Sequence, residues 1–449
     1  MKSSKDKQID MLHGSIWDKL LLFALPLALS SIIQQLFNSA DVAVAGRFAG
    51  SLALAAVGAN SSVINLLVNL FVGLSVGANV VIARYIGQGN MKKASDAVHT
   101  SILVAILSGF ILMGIGLIFA SPILEWMSTP EDILPLAVLY LKIYFCGMPF
   151  IMLYNFTSAI LRSQGDTKRP LYALILSGIV NVLLNLFFVV ELHMSVEGVA
   201  IATVVSNIIS SMILLIYLIK KSGPLQVHIQ KIHLHPYILK QMASIGVPAG
   251  LQGMVFSISN VMVQTTTNGL GSIAVAASSA ALNYEYFAYF ILSAFTQSAV
   301  TFVGQNYGAG NYERCRKITR TVLLLGMFCT QFVSILFILF KEPLISIFTT
   351  DPKVIEVAYI RLVTIVALEF LNAHTDILSG ALRGLGHSSA PAIVCILGIC
   401  GVRIGYILFI YPMVKTFQFL MYVYPISWII TAIALSITYF SIRKKVYKM

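Results

Sequence analysis

Acids and bases set inside apolar stretches are the residues of this chain that could do chemistry, and they are few. Between Leu20 and Ala45 the sole acid is Asp41, and Ser30, Gln34, Asn38 and Asp41 recur at spacings of four, four and three. On a helix that spacing lines them along one face. Asn181 and Asn185 stand one turn apart, Thr203 follows in the next apolar stretch, and Asn65 and Asn69 share a face. With Asp41 these groups could surround a small aqueous pocket suited to a proton or a sodium ion. Desolvation disfavours a charged carboxylate, so an acid in an apolar cavity can exchange protons near neutral pH, and neighbouring amide and hydroxyl oxygens can help it hold a cation instead. The plainer readings are that the asparagines only cross-link helices and that Asp41 caps a helix beside Gly46 and Arg47. For Asp41 the functional reading is preferred, because a carboxylate at that depth is expensive.

A second group lies in the other half of the chain. Glu369, Asn372 and Asp376 recur at i, i+3 and i+7, and Glu285 and Arg403 are the remaining deep charges. Arg403 is expected to neutralise Glu285 or Asp376 and hold helices in register, which leaves at least one acid over as a proton or Na+ site at Glu285/Asp376. Tyr284, Tyr286, Phe287, Tyr289 and Phe290 cluster around Glu285. Such rings could stack on a flat cationic substrate, although packing is the commoner role for any one of them. Gln34, Asn38, Asn65, Asn69, Tyr284, Tyr289 and Asn372 are thus expected to line a substrate cavity.

The elements that must position these groups follow from composition. With 58% hydrophobic and 11% charged residues among 449, no water-soluble surface could be built. The chain reads as an all-α membrane protein of twelve spans, approximately 16–45, 52–82, 95–121, 133–160, 170–191, 196–219, 237–267, 272–303, 318–340, 354–382, 390–411 and 418–441. The first span is too long for the apolar core of a signal peptide and is expected to stay in the mature chain. Pro26 is a natural bend in it. Lys and Arg gather in alternate loops, while the intervening ones hold only Arg47, Lys341, Lys353, Arg361 and Lys415, so both termini are expected in the cytoplasm. This bias accounts for the net charge of +12 without a nucleic-acid partner. Five cysteines, without metal-type spacing, read as small apolar residues. There is no G-x-x-x-x-G-K-[ST] loop and no H-E-x-x-H, which excludes ATP-driven transport within this chain; no enzyme activity and no cofactor are expected.

The chain also repeats itself. ARYIGQGN at 83–90 matches GQNYGAGN at 304–311, LRSQGDTKRP at 161–170 matches LRGLGHSSAP at 382–391, and GSLALAAVGA at 50–59 matches GSIAVAASSA at 271–280, each at one and the same displacement along the chain. Pro26 pairs with Pro248 and Asn38 with Asn260 one position further on. Two pseudo-symmetric six-helix bundles are expected, 1–220 and 237–449, joined by a polar linker at 221–236 whose His233 and His235 read as solvated loop residues. An even number of spans per repeat gives the halves the same orientation, with a cavity between them. Asp41 has no acidic counterpart, since Val263 or Met262 stands there; conversely Glu285, Asp376 and Arg403 correspond to Ile64, Asn155 and Val182. Gly46/Gly50, Gly73/Gly77, Gly246/Gly250 and Gly401/Gly405 permit close helix approach.

The two six-helix halves, the paired LRSQGDTKRP and LRGLGHSSAP motifs, TFVGQNYGAGNYER at 301–314 and the Pro26 to Asp41 first helix together resemble a multidrug and toxic compound extrusion (MATE) transporter. The resemblance covers nearly the whole chain. It implies a multi-pass protein of the plasma (inner) membrane, a monomer, exchanging organic cations, often aromatic, against inward H+ or Na+. It implies a coupling acid at Asp41 with companions at Asn181, Asn185 and Thr203. Archaeal members have an aspartate where this chain has Asn185, whereas Glu285 and Asp376 fit a subgroup with acids in helices eight and ten, as in sodium-coupled members. A lipid-linked oligosaccharide flippase of the same superfamily is the alternative. It would need a basic cavity, and Arg403 and Lys142 are the only deep bases expected.

Overall fold

The computed structural model describes residues 9–127 and 129–446, without the side chain of Ser62. Lys2, Lys5, Lys7 and Lys448, which belong to the terminal loop charges, lie outside it. The described residues form helices joined by short connections, with no strand. The first half carries α1 (Trp17–Val44), α2 (Ser51–Gly87), α3 (Met91–Trp126), α4 (Leu134–Cys146), α5 (Met148–Ser163), α6 (Lys168–Leu186) and α7 (Val196–Lys220). The second carries α8 (Pro236–Asn268), α9 (Ser272–Gly308), α10 (Tyr312–Leu339), α11 (Lys341–Ser346), α12 (Pro352–Val366), α13 (Glu369–Gly384), α14 (Ser389–Cys395), α15 (Val402–Gly405), α16 (Phe417–Met421) and α17 (Val423–Val446).

Ten helices among the described residues are long and apolar enough to cross a membrane, and an eleventh span forms if α4 and α5, bent by 47° at Gly147, count as one. The stretch expected as the tenth span, 354–382, is instead two helices of 15 and 16 residues, α12 and α13, each too short to cross alone. The chain is a multi-pass membrane protein. Its large apolar side chains stay exposed along the helices because hydrocarbon, not water, is the solvent they face.

The repeated motifs turn out to be helix stops. Gly89 and Gly310 have φ of 68° and 73°, Gly165 and Gly386 85° and 82°, Gly50 and Gly271 94° and 96°. The two members of each pair occupy equivalent places in the repeat. A positive φ is open to glycine at no steric cost, so these positions end one helix and start the next at a fixed angle in both halves. Beside them Asn90 accepts from the Lys93 N–H (3.1 Å) and Asp166 from the Arg169 N–H (3.2 Å), each capping the following helix.

Contacts divide the chain into two compact units, one of Met1–Asp10 with Leu29–Gly250, the other of Met11–Ala28 with Leu251–Met449. The division cuts α1 and α8 two residues past Pro26 and Pro248, where proline removes a helical hydrogen bond. Each unit therefore holds the first half of one of these helices and the second half of the other.

In the first unit the opening half of α8 is pressed against α2. A Cβ at Gly250 would run into Leu70 O, one at Gly77 into Met242 O, and one at Gly73 into Gly250 N. Only glycine allows backbones this close. In the second unit the start of α1 is held by side chains. Phe23 meets Phe302 edge-on at 5.4 Å, Met11 is buried, and Arg314 donates to the carbonyls of Met11, His13 and Gly14 while Asn306 Nδ2 donates to Met11 O.

Gly250→Ala is expected to lower the stability of purified protein by about 1–3 kcal/mol, whereas Gly58→Ala, where nothing lies within 4 Å, should be neutral. Thermal unfolding in detergent checks this; equal melting of both variants would show that α2 and α8 do not depend on backbone contact.

Candidate functional site

In the first unit the site is built by three helices. The later part of α1 presents Asp41, α6 presents Asn181 and Asn185, and α7 presents Thr203. The register of α1 on α6 is fixed one turn earlier by Gly178: a Cβ there would overlap the Phe37 ring, so the ring occupies the space and Asp41 is carried to Asn185. Asp41, Asn181 and Asn185 are all buried, the carboxylate residue only 7% exposed. Asn185 Nδ2 donates to Asp41 Oδ1 and also to Asn181 Oδ1 (3.3 Å); Thr203 Oγ1 donates to Asp41 Oδ2 at 3.1 Å. Both α1 and α6 pass into π-helical turns just beyond these residues, Ala45–Ala49 and Phe187–Glu191.

The hydroxyl of Thr203 decides what this arrangement can do. It has two acceptors in reach, Asp41 Oδ2 at 3.1 Å and Val199 O at 2.9 Å, but only one proton to give. Beside an ionised Asp41 it can satisfy one of them. If Asp41 takes up a proton, its O–H can donate to Thr203 Oγ1 while the hydroxyl turns to Val199 O, and both acceptors are served. The carboxylate thus has a complete set of partners in the neutral state. The oxygens of Asp41, Asn181 and Thr203, with Asn185 Oδ1, which is buried without a hydrogen-bond partner among the described residues, form the set that could face a sodium ion.

The second unit holds the other group, arranged differently from the expectation. Arg361, counted above as a loop charge, is buried in α12 and grips Glu285 with two bonds, Nε to Oε1 at 2.6 Å and NH2 to Oε2 at 2.8 Å, while NH1 donates to Ser278 Oγ at 2.6 Å. Arg403 is not the partner of Glu285 or Asp376. It donates from NH1 to Asn260 Oδ1 (2.9 Å) and from Nε to Ser427 Oγ (3.3 Å), and its guanidinium lies over Tyr424 (4.4 Å) and Phe256 (5.2 Å). A rigid two-pronged guanidinium matches a carboxylate, and the nearer arginine has taken it. Arg361 falls inside the stretch 354–382 expected as a span, and that position was the signal that it is buried.

On α13, Asn372 Nδ2 donates to Glu369 Oε1 at 2.7 Å, and both residues are buried. Asp376, though on the same face, makes no hydrogen bond or ion pair with the described residues. Of the expected cavity residues, Gln34, Asn38, Asn65 and Tyr289 are exposed and Asn69 half-buried. Tyr284 is committed to packing: it is buried between Phe337 and Phe348 and donates its hydroxyl to Leu344 O at 2.8 Å. Lys142 is exposed, so Arg361 and Arg403 are the deep bases of the second unit.

A repeat that begins at a proline in each half is also what relates this chain to known proteins. The MatE family profile matches residues 26–187 and 248–408. The chain belongs to the MatE family. Each matched block starts at one of the two prolines. Among its relatives, the probable multidrug resistance protein YoeA of Bacillus subtilis is 28% identical over 397 residues, covering 87% of this chain and 86% of YoeA. The probable multidrug resistance protein NorM of Thermotoga maritima is 29% identical over 404 residues, covering 89% and 86%. The fold matches a multidrug resistance MATE family transporter of the MOP superfamily solved in an outward-facing conformation, with a TM-score of 0.91 at 21% identity over 99% of each chain. Within this MatE chain, the acids in the two halves are therefore embedded in the same framework but in unlike surroundings.

If Glu285 belongs to Arg361, a double-mutant cycle on Glu285→Gln and Arg361→Gln should give a coupling energy of about 1–3 kcal/mol in thermal unfolding, and Glu285→Gln with Arg403→Gln should be additive. Coupling to Arg403 alone would reverse the assignment.

Proposed function

We propose that this chain is a secondary antiporter of the plasma membrane that exports organic cations, often aromatic, in exchange for H+ or Na+, with both termini in the cytoplasm. The observation that carries it is the Asp41 carboxylate, buried in the first unit and bonded to Asn185 and Thr203. Relatives named as multidrug resistance proteins across most of the chain support export of small molecules. No cofactor enters the scheme, and the driving ion is cargo.

In this scheme the ionised carboxylate favours a hydrated, outward-open state and the neutral or ion-paired form a collapsed one. An ion drives such an equilibrium only through its different affinity for the two states. Binding at Asp41 acts on the part of α1 beyond Pro26, while the part before it stays with the other unit. Pro248 repeats the break in α8, but Val263 and Met262 give that helix no acid, so the two halves respond unequally. The alternative Thr203 bonds favour H+ as the ion at Asp41. Glu369 and Asp376 are the second place where an ion could bind, since Glu285 is already neutralised.

Membrane vesicles with imposed H+ or Na+ gradients and a fluorescent cation such as ethidium test the reading. Asp41→Asn should abolish gradient-driven efflux at normal expression, Pro26→Ala should slow it, and Pro248→Ala should slow it less. Efflux by Asp41→Asn at the parent rate with unchanged ion dependence would remove Asp41 from the mechanism. Failure of the parent protein to move the dye under either gradient would refute cation antiport altogether.

A further inference from the structure

The connection between α7 and α8 was expected to be a solvated linker, yet it is strapped to the first unit. Val227 N donates to Leu218 O at 3.0 Å, Gln226 Nε2 to Ile219 O at 2.7 Å, and Val227 is 1% exposed. A short 3-10 turn, Ile229–Lys231, follows. The strap then lies on the first turns of α3, where Thr100 Oγ1 donates to His233 O (3.4 Å) and accepts from His235 N (3.3 Å). Between these ends stands His99, 2% exposed.

Both ring nitrogens of His99 have fixed roles. Nδ1 lies 2.7 Å from Ser95 O, and a carbonyl only accepts, so Nδ1 carries the hydrogen. Nε2 lies 3.0 Å from the backbone N of His228, which only donates, so Nε2 is bare. The arrangement admits the neutral ring alone. A second proton would set N–H against N–H and leave a backbone amide without an acceptor, a defect that folded proteins avoid.

We propose that His99 is a proton-operated latch on the α7–α8 connection: neutral, it holds the strap at His228; protonated, it lets residues 228–231 go. The charged groups around it reinforce the release. On α3 these are Lys92 and Asp96; on the strap they are His228, stacked on the ring at 6.2 Å, Lys231, His233 and His235. Lys92 and Lys231 carry positive charge, so a charged His99 meets like charge on both α3 and the strap. Asp96, the one acid among them, also lies 3.6 Å from His235 Nε2. Lys92, Asp96, His99, Lys231 and His233 also line an open hollow of about 590 Å³. The latch does not depend on which ion or substrate is carried, because it lies on α3 and the strap, away from Asp41.

Hydrogen exchange of the full-length protein in detergent, read at single amides from about pH 8 to about pH 5, tests this. The Val227 amide bonds to Leu218 and not to His99, so it is the internal standard at each pH. In the parent protein, protection of the His228 amide relative to Val227 should fall by about tenfold or more in acid, the loss of about one hydrogen bond. His99→Gln offers an acceptor that does not titrate and should abolish the fall, whereas His228→Ala keeps the backbone donor and should retain it. An unchanged His228-to-Val227 ratio in the parent across this range would overturn the proposal. So would an equal fall in His99→Gln, which would place the sensor elsewhere.

Discussion

An unpaired charge in a medium without water is the constraint on which this structure depends. Water would solvate a carboxylate or guanidinium at little cost; inside an apolar bundle each must find donors, acceptors or a counter-ion from its own chain. The ionisable groups of the two units answer that demand in different ways. Asp41 is met by neutral donors, Asn185 and Thr203, which can accommodate either of its protonation states. Glu285 is met by Arg361, a permanent cation. The first acid is held by neutral groups and the second by a counter-ion, and neither has an acidic counterpart in the other half.

Arg403 shows the same constraint without a carboxylate. Its charge is spread over an amide oxygen, a hydroxyl and two aromatic faces. Tyr424 lies beneath both arginines, 4.4 Å from Arg403 and 5.5 Å from Arg361. One ring system thus joins two cations that repel each other directly. Removing the ring would disturb both, and the tie holds α12, α15 and α17 in register.

Repetition supplies the frame and its departures supply the chemistry. Left-handed glycines recur at the same period in both halves and end helices in the same way. The two opening helices are broken at equivalent prolines, and each is divided between the units. Yet the start of α8 is packed through glycine on backbone, while the start of α1 is packed through Phe23, Met11 and the three carbonyl bonds of Arg314. Backbone packing offers no rotamers to rearrange; side-chain packing does. The helix that bears Asp41 therefore starts from the more adjustable of the two seats.

Much of this was legible in the residues. Composition required a polytopic membrane protein, because no other solvent suits a chain that apolar; the constant displacement between paired motifs required two like halves; and the lone acid beyond Pro26 and the asparagines one turn apart further on are residues that do meet. Pairings across the chain were not legible. Helical spacing says which residues share a face, but not which face meets which, so spacing matches Arg403 to Glu285 or Asp376 whereas Arg361 holds Glu285. The same limit hid the strap: a polar, basic stretch with glycine and proline reads as linker until tertiary contact shows Val227 buried and a histidine ring accepting the amide of His228. Period and composition are properties of the chain alone and the sequence by itself determined them; partner choice among several buried charges depends on distances of a few ångströms, which only the folded structure decides.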